Sequence, residues 1–197
     1  MVKNFLINDF GKFNKCCVQD YINCANYLID KKIAKPNNLI AYGQSAGSTI
    51  VSKAINLDPT LFHAAIFDYP FLDMVNSMFD PTLPLTTVEY SEWGDPAIEK
   101  ERQHLIQFSP YHNTDYSKHP HLLFLTGEND YQTPAWMALK TVASYRQNCK
   151  SDNEILIRIA KGGHPGSIAY PARMDDLIYQ LIFTKSVLNR ISESSAD

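Results

Sequence analysis

The residues most suggestive of chemistry form the sequence Gly-Gln-Ser-Ala-Gly at 43–47, which fits the pattern G-x-S-x-G. An apolar run precedes this motif, and helical spacing of apolar residues follows it. A sharp turn from strand to helix would expose the hydroxyl of Ser45 and strain its backbone. Ser45 is therefore the candidate nucleophile, and the N–H of Ala46, at a helix amino terminus, is the candidate oxyanion donor. We expect glycine to be required at Gly43 and Gly47, because a side chain there would clash in the turn.

A serine nucleophile needs an imidazole to take its proton and a carboxylate to orient that imidazole. Asp130 and His164 are the candidates, because each follows a predicted strand. The carboxyl ends of parallel strands meet at one edge of a sheet, and the chain order serine, aspartate, histidine is that of an α/β-hydrolase triad. The spacing therefore predicts a triad of Ser45, Asp130 and His164.

Each of these two assignments has a structural alternative. Asp130 precedes a helix predicted to begin near Pro134, and aspartate is a common helix cap. His164 lies in a loop, Lys161 to Gly166, where it would be an ordinary polar residue. Glycines on both sides of His164 favour close approach of other groups and hence the catalytic role.

Three further histidines lie close together in sequence, at His112, His119 and His121. They could be interpreted as a metal site. Histidines without acidic or thiolate neighbours are more often structural, so we expect no metal and no cofactor.

The predicted elements alternate between helix and strand, which indicates one α/β domain with a parallel sheet. The fold class expected is the carboxyl-terminal half of an α/β-hydrolase sheet, with about four mainly parallel strands and flanking helices. Strands are predicted at 39–43, 63–67, 121–126 and 154–159, and helices at 18–31, 46–56, 134–148 and 172–189.

Residues 70–118 interrupt this alternation with a long, proline-rich stretch that has little hydrophobic period. We interpret it as a loop-rich excursion within the single domain 1–197, with its one helix at 97–108. Long loops of this kind are commonly functional.

The composition excludes several classes of function. The 197 residues carry 18 Lys+Arg against 21 Asp+Glu, a net charge of −3, without a basic stripe. Nucleic acid and membrane are therefore not expected partners. The amino terminus lacks the apolar region of a signal peptide, and no apolar stretch is long enough to span a bilayer. The four cysteines show no disulfide spacing, which favours reduced thiols and a cytoplasmic location.

Several long and unusual segments resemble the prolyl oligopeptidase family of serine peptidases, particularly its oligopeptidase B and prolyl endopeptidase-like branches. The likeness extends from about residue 11 to residue 179. The segments that carry it are Lys15 with Asp20-Tyr21-Ile22, the motif at 43–47, Pro70 to Met78, Asp80 to Thr86, Glu92 to Pro96 and Ser109 to Asn113.

The resemblance implies a serine-type peptidase that hydrolyses short peptides through an acyl-enzyme on Ser45, with Asp130 and His164 completing the triad. It places Glu89 where oligopeptidase B holds a carboxylate for a basic residue before the scissile bond. The alternative is an ester or thioester hydrolase of the prolyl endopeptidase-like type. Gln132 motivates that alternative, because the peptidases hold an arginine there that grips the substrate backbone.

Two further departures concern the same site. Ser91 stands where oligopeptidase B has another acidic residue, which weakens the inference of a basic preference. Pro165 stands where glycine is usual, and a proline restricts the backbone of the residue before it, here His164.

The resemblance also implies parts that this chain lacks. Family members begin with a β-propeller, and no sequence here could form one. The early strands of the hydrolase sheet, which carry the tyrosine that is the family's second oxyanion donor, are missing as well. We therefore expect a missing amino-terminal segment of the same protein as a partner; otherwise the chain is an inactive truncated remnant.

Overall fold

The computed structural model describes residues 12–35, 38–115, 118–165 and 170–194. Within these ranges it describes every side chain except those of 12–15, 170–172 and 191–194. The expectations for residues 1–11, Pro36, Asn37 and Gly166 lie outside the described residues.

Outside the excursion at 70–118, the described helices and strands alternate as the sequence predicts. In chain order they are α1 (Lys12–Asp30), β1 (Ile40–Gln44), α2 (Gly47–Leu57), β2 (Ala64–Asp68), α3 (Met74–Phe79), α4 (Tyr90–Trp93), α5 (Glu99–Phe108), α6 (Pro110–Asn113), β3 (His121–Gly127), α7 (Ala135–Asn148), β4 (Ile155–Ala160) and α8 (Tyr170–Ser194).

The four strands form one parallel sheet in the order β1-β2-β3-β4, which confirms the predicted fold class. Every residue of β2 and β3 is buried, because helices cover both faces of these central strands. The register aligns Gln44 with Asp68 and Asp68 with Leu125. The loops that follow the strands therefore leave from one edge of the sheet, where the sequence places Ser45, Asp130 and His164.

Successive side chains along the central strands pack alternately into two hydrophobic clusters, one on each face of the sheet, as the two-residue period of a strand requires. On one face, Phe67 of β2 stacks on Phe124 of β3 with ring centroids 4.8 Å apart, within a core that includes residues of α1, α2 and α7. On the other face, Ile66 and Leu123 belong to a smaller cluster with Phe183 of α8. This packing fixes the edge of the sheet that carries the candidate site.

The excursion at 70–118 contains more regular structure than predicted. The expectation that 97–108 is its one helix is wrong, because α3, α4 and α6 also form there. These helices are only 4 to 6 residues long, too short to show a hydrophobic period in sequence. Local signals define them instead: Asp73 caps α3 by accepting a hydrogen bond from the N–H of Asn76, and Pro110 begins α6.

Two further observations concern the expectations about membrane-spanning segments and disulfides. Among the described residues, no helix combines the length and the apolar character that crossing a membrane requires. Cys16, Cys17, Cys24 and Cys149 form no disulfide.

Candidate active site

The turn after β1 has the strained geometry that the motif predicts. Ser45 lies in the left-handed region with a φ of 52°, which is uncommon for a residue with a side chain. Its backbone is held on both sides, because its N–H donates to the carbonyl of Asp68 at 3.0 Å and its carbonyl accepts from Phe71 at 3.1 Å. Strain of this kind persists where the surrounding structure imposes it, and it is concentrated at functional sites.

Glycine is required on one side of Ser45 and not on the other. A Cβ on Gly43 would lie 2.8 Å from the carbonyl oxygen of Gly47 and from the Cα of Ser48. A Cβ on Gly47 would meet no described atom within 4 Å. The steric prediction is therefore confirmed for Gly43 and wrong for Gly47, because the turn presses Gly43 against the backbone of α2 while Gly47 faces open space.

The structure brings together the three residues of the predicted triad. Nε2 of His164 lies 3.1 Å from Oγ of Ser45, and Nδ1 of the same ring lies 2.8 Å from Oδ2 of Asp130. The Asp130 side chain has no exposed surface, and that of His164 is 13% exposed. The three side chains thus form a continuous, largely buried hydrogen-bonded chain that ends at the serine hydroxyl.

Asp130 is held by the loop that follows β3. One carboxylate oxygen accepts hydrogen bonds from the backbone N–H groups of Gln132 and Thr133, at 2.8 and 2.9 Å. Burial alone would raise the pKa of Asp130, but the hydrogen bonds from His164 and Thr133 outweigh it and hold that pKa below its ordinary value. The alternative role as a helix cap does not apply, because the capping position of α7 is Pro134.

The loops that carry Asp130 and His164 approach each other closely at two glycines, Gly127 and Gly162. A Cβ on Gly127 would lie 2.5 Å from the carbonyl oxygen of Gly162, a distance that no side chain tolerates. That same carbonyl accepts a hydrogen bond from the N–H of Asn129 at 2.9 Å. The close approach of the two loops sets the separation of the histidine and the aspartate.

Ala46 occupies the position expected of an oxyanion donor. It directly follows Ser45, has helical dihedral angles (φ −57°, ψ −30°) and stands at the capping position of α2. No described residue accepts a hydrogen bond from its backbone N–H. The amide is thus placed where the helix dipole favours negative charge beside the serine.

A pocket opens directly beside Ser45. Both predicted substrate-binding residues, Glu89 and Gln132, line it. The complete lining is Ser45, Ala46, Phe71, Ser77, Met78, Leu83, Leu85, Thr86, Glu89, Gln132 and Thr133. Most of these residues come from the excursion at 70–118, which therefore forms one wall of the candidate site.

Glu89 is the acidic group of this pocket. Its Oε2 accepts a hydrogen bond from the indole N–H of Trp93 at 2.9 Å, so the carboxylate is fixed in place. Burial and then the charge of Glu89 raise the pKa of Glu92, one helical turn further along. The two carboxylates therefore share one region of negative potential, although only Glu89 lines the pocket.

The three histidines considered for metal binding have separate partners. Nδ1 of His112 lies 3.0 Å from Oγ of Ser109, Nε2 of His119 lies 2.9 Å from Sγ of Cys149, and Nδ1 of His121 accepts from the N–H of Glu154. In the part of the chain that the structure describes, no three histidine, cysteine or acidic side chains are grouped as metal ligands.

Sequence reasoning missed two residues that contact the triad. Oγ1 of Thr133 lies 2.9 Å from Oδ2 of Asp130 and 3.2 Å from Nδ1 of His164. The ring of Tyr69 meets that of His164 edge-on, with centroids 6.1 Å apart. Tyr69 directly follows β2, so the argument from the carboxyl edge of the sheet could have identified it. Thr133 has only a weaker signal, its position three residues after Asp130 in a turn.

Comparison with known proteins places this site in a family. The sequence profile of the prolyl oligopeptidase family matches residues 10–190. Protease 2 of Moraxella lacunata is 36% identical over 138 residues, which are 70% of this chain and 20% of that protein. Dipeptidyl aminopeptidase BI of Pseudoxanthomonas mexicana is 33% identical over 161 residues, 80% of this chain and 22% of that protein.

A solved structure shows the same fold. Oligopeptidase B from Leishmania major superposes with a TM-score of 0.80 and 30% identity, over 86% of this chain and 24% of that structure. The chain thus spans only about a fifth to a quarter of the length of these relatives. The match nevertheless covers the four strands, the turn at Ser45 and the loops of Asp130 and His164. The chain belongs to the prolyl oligopeptidase family.

Proposed function

We propose that the chain carries the catalytic centre of a serine peptidase that cleaves short peptides through an acyl-enzyme. The observation that carries the proposal is the hydrogen-bonded chain from Asp130 through His164 to Ser45. Family membership supports the same chemistry. Ser45 is the nucleophile, His164 the general base, and Asp130 the orienting acid.

In the first half-reaction, Oγ of Ser45 attacks the carbonyl carbon of the scissile amide while Nε2 of His164 takes the hydroxyl proton. The Asp130 carboxylate stabilises the imidazolium that results. The carbonyl oxygen becomes an oxyanion, to which the N–H of Ala46 donates. When the tetrahedral intermediate collapses, the C–N bond breaks and the leaving amine takes the proton from His164.

In the second half-reaction, water takes the place of the amine. His164 removes a proton from the water, and the hydroxide attacks the acyl carbon of the ester on Ser45. Collapse of this second intermediate releases the carboxylic acid and returns the proton to Oγ of Ser45. The same three side chains therefore serve both steps, and no cofactor is needed.

We further propose that the pocket favours an arginine or lysine side chain before the scissile bond. Glu89 lines the pocket beside Ser45, and its partner Trp93 fixes the carboxylate. A cation that enters a partly desolvated site opposite a fixed carboxylate gains a charge-assisted hydrogen bond. A neutral side chain in the same pocket would gain no such bond.

The second candidate function is hydrolysis of an ester or thioester. Gln132 favours it, because a neutral amide lines the pocket where the peptidases of the family hold an arginine. Loss of that charge weakens the grip on a peptide backbone while leaving the triad intact. Activity on acyl esters with none on arginyl or lysyl peptide amides would select this function, and the reverse profile would remove it.

A fluorophosphonate probe tests the nucleophile itself. We expect the wild-type chain to be labelled on Ser45, and Ser45→Ala to abolish labelling. Ser186→Ala, which changes an exposed serine on α8, is the control and should be labelled like the wild type. Labelling that survives Ser45→Ala would refute the assignment, and peptide mapping of the adduct would then identify the residue that reacts.

A further inference from the structure

A cluster of charged and aromatic side chains adjoins the triad without taking part in the proposed mechanism. It contains two aspartates and a tyrosine with no exposed surface, together with two arginines. We call it the aspartate–arginine network; its members are Asp68, Tyr69, Arg158, Arg173 and Asp176.

One part of the network joins the two flanks of the histidine loop. Nε of Arg158, on β4, donates to Oδ1 of Asp176, on α8, at 2.9 Å. The segment between β4 and α8 is the one that carries His164. This ion pair, with its aspartate fully buried and its arginine partly exposed, links the two flanks of the loop and should restrict how far the imidazole can move from the sheet edge.

A second part joins α8 to the end of β2, the strand next to the one that leads to Ser45. The two guanidinium NH groups of Arg173 donate to the two carboxylate oxygens of Asp68, at 3.0 and 2.7 Å. Hydrogen bonding to Asp68 raises the pKa of Arg173 above its usual range. The backbone carbonyl of Asp68 accepts a hydrogen bond from the N–H of Ser45, so Asp68 connects α8 to the turn.

Tyr69 connects the network to His164 directly and to Asp130 through Thr133. Its hydroxyl donates to Oδ2 of Asp176 at 3.0 Å, and its ring packs edge-on against His164. Its carbonyl lies 3.0 Å from Oγ1 of Thr133, which contacts Asp130. Like Ser45, Tyr69 has a left-handed backbone, with a φ of 53°, and such strain persists only where several contacts impose it.

We propose that Tyr69 and Arg173 are positioning residues that hold the His164 loop and the Ser45 turn at their reactive separation. The inference rests on the proposed function for its effect on rate. A misplacement of about 1 Å between reacting groups can cost about a hundredfold in rate. Loss of either anchor should therefore slow the reaction although all three triad residues remain.

The test compares Tyr69→Phe and Arg173→Gln with Arg190→Gln. Arg190 also joins α8 to the chain beside β4, by an ion pair with Glu154, but both partners are partly exposed and lie at the other end of the strand. The second-order rate constant of fluorophosphonate labelling should fall by about tenfold or more in the first two variants. It should stay unchanged in Arg190→Gln. Arg173→Lys, which keeps the charge without the bidentate geometry, should show an intermediate rate.

The labelling endpoint separates positioning from stability. A variant that has misfolded irreversibly loses endpoint amplitude. Reversible unfolding slows labelling only in proportion to the folded fraction, which chemical denaturation measures, so a greater slowing reports mispositioning. A second readout is the Nδ1–H proton resonance of His164, assigned with His164→Gln. We expect this resonance to broaden or shift in Tyr69→Phe and Arg173→Gln and to persist in Arg190→Gln. Unchanged rates together with an unchanged resonance would overturn the proposal.

The two proposals fail in different ways. If Ser45→Ala is still labelled, the nucleophile assignment fails, while the His164 resonance still reports whether the network positions the ring. If Ser45→Ala abolishes labelling but Tyr69→Phe and Arg173→Gln react at the wild-type rate, only the positioning role fails.

Discussion

The hydroxyl of Thr133 lies 3.2 Å from Nδ1 of His164, beside the carboxylate of Asp130 that the same ring nitrogen contacts at 2.8 Å. Its oxygen is also 3.0 Å from the carbonyl of Tyr69. One buried hydroxyl therefore connects the acid and the base to the end of a neighbouring strand, at a point where solvent cannot replace it.

Replacing this hydroxyl should affect both stability and rate. Thr133→Val keeps the shape and leaves buried polar partners unsatisfied, which costs about 1–3 kcal/mol of unfolding free energy. Chemical denaturation measures that cost, and fluorophosphonate labelling should slow as the imidazole loses a contact. Thr133→Ser, which retains the oxygen, is the control and should stay close to wild type in rate. Equal slowing in both variants would mean that the hydroxyl is not the cause.

The two glycines of the turn should respond in opposite ways to alanine. Gly43→Ala places a Cβ against backbone atoms of Gly47 and Ser48 that cannot move without displacing α2. Overpacking of this kind typically costs about 1–3 kcal/mol or more. Gly47→Ala meets open space at the first position of α2 and should be neutral or stabilising by up to about 1 kcal/mol. Thermal unfolding of both variants tests this, and similar losses in the two would contradict it.

The sequence predicted the parts of the site that depend on local pattern and chain order. The strained serine, the four strands and the positions of Asp130 and His164 follow from short motifs and from the shared edge of parallel strands. The short helices of the excursion did not follow, because one or two turns leave no period to detect.

The sequence also did not predict contacts between residues that are far apart in the chain. Arg173 is separated from Asp68 by 105 residues, and no local spacing indicates that an arginine on the last helix pairs with a strand end. Such partners depend on how α8 lies across the sheet. The packing of the whole domain determines this placement, whereas local helix propensity and short sequence motifs do not.

Stability should fall in mild acid because two buried histidines prefer the neutral form. Burial lowers the pKa of His119, and burial together with the neighbouring His63 lowers that of His121. The unfolded chain therefore binds more protons than the folded chain as the pH falls through the ordinary histidine range, at about 6.5. The unfolding free energy is then greatest above that range and decreases below it. His121→Gln should flatten this decrease in denaturation curves taken at several pH values, and an unaltered slope would rule out His121 as its source.

Substrate choice should depend on Glu89. Glu89→Gln removes the charge while its amide oxygen can still accept the indole N–H of Trp93, so the pocket keeps its shape. Loss of a charge-assisted contact costs about 1.5–3 kcal/mol, or roughly ten- to a hundredfold in kcat/KM on arginyl substrates. A neutral substrate should be nearly unaffected. Glu92→Gln is the matched control, because Glu92 is a neighbouring carboxylate outside the pocket lining, and its effect on arginyl substrates should be smaller. Equal losses on arginyl and neutral substrates would show that Glu89 supports the loop and does not select the substrate.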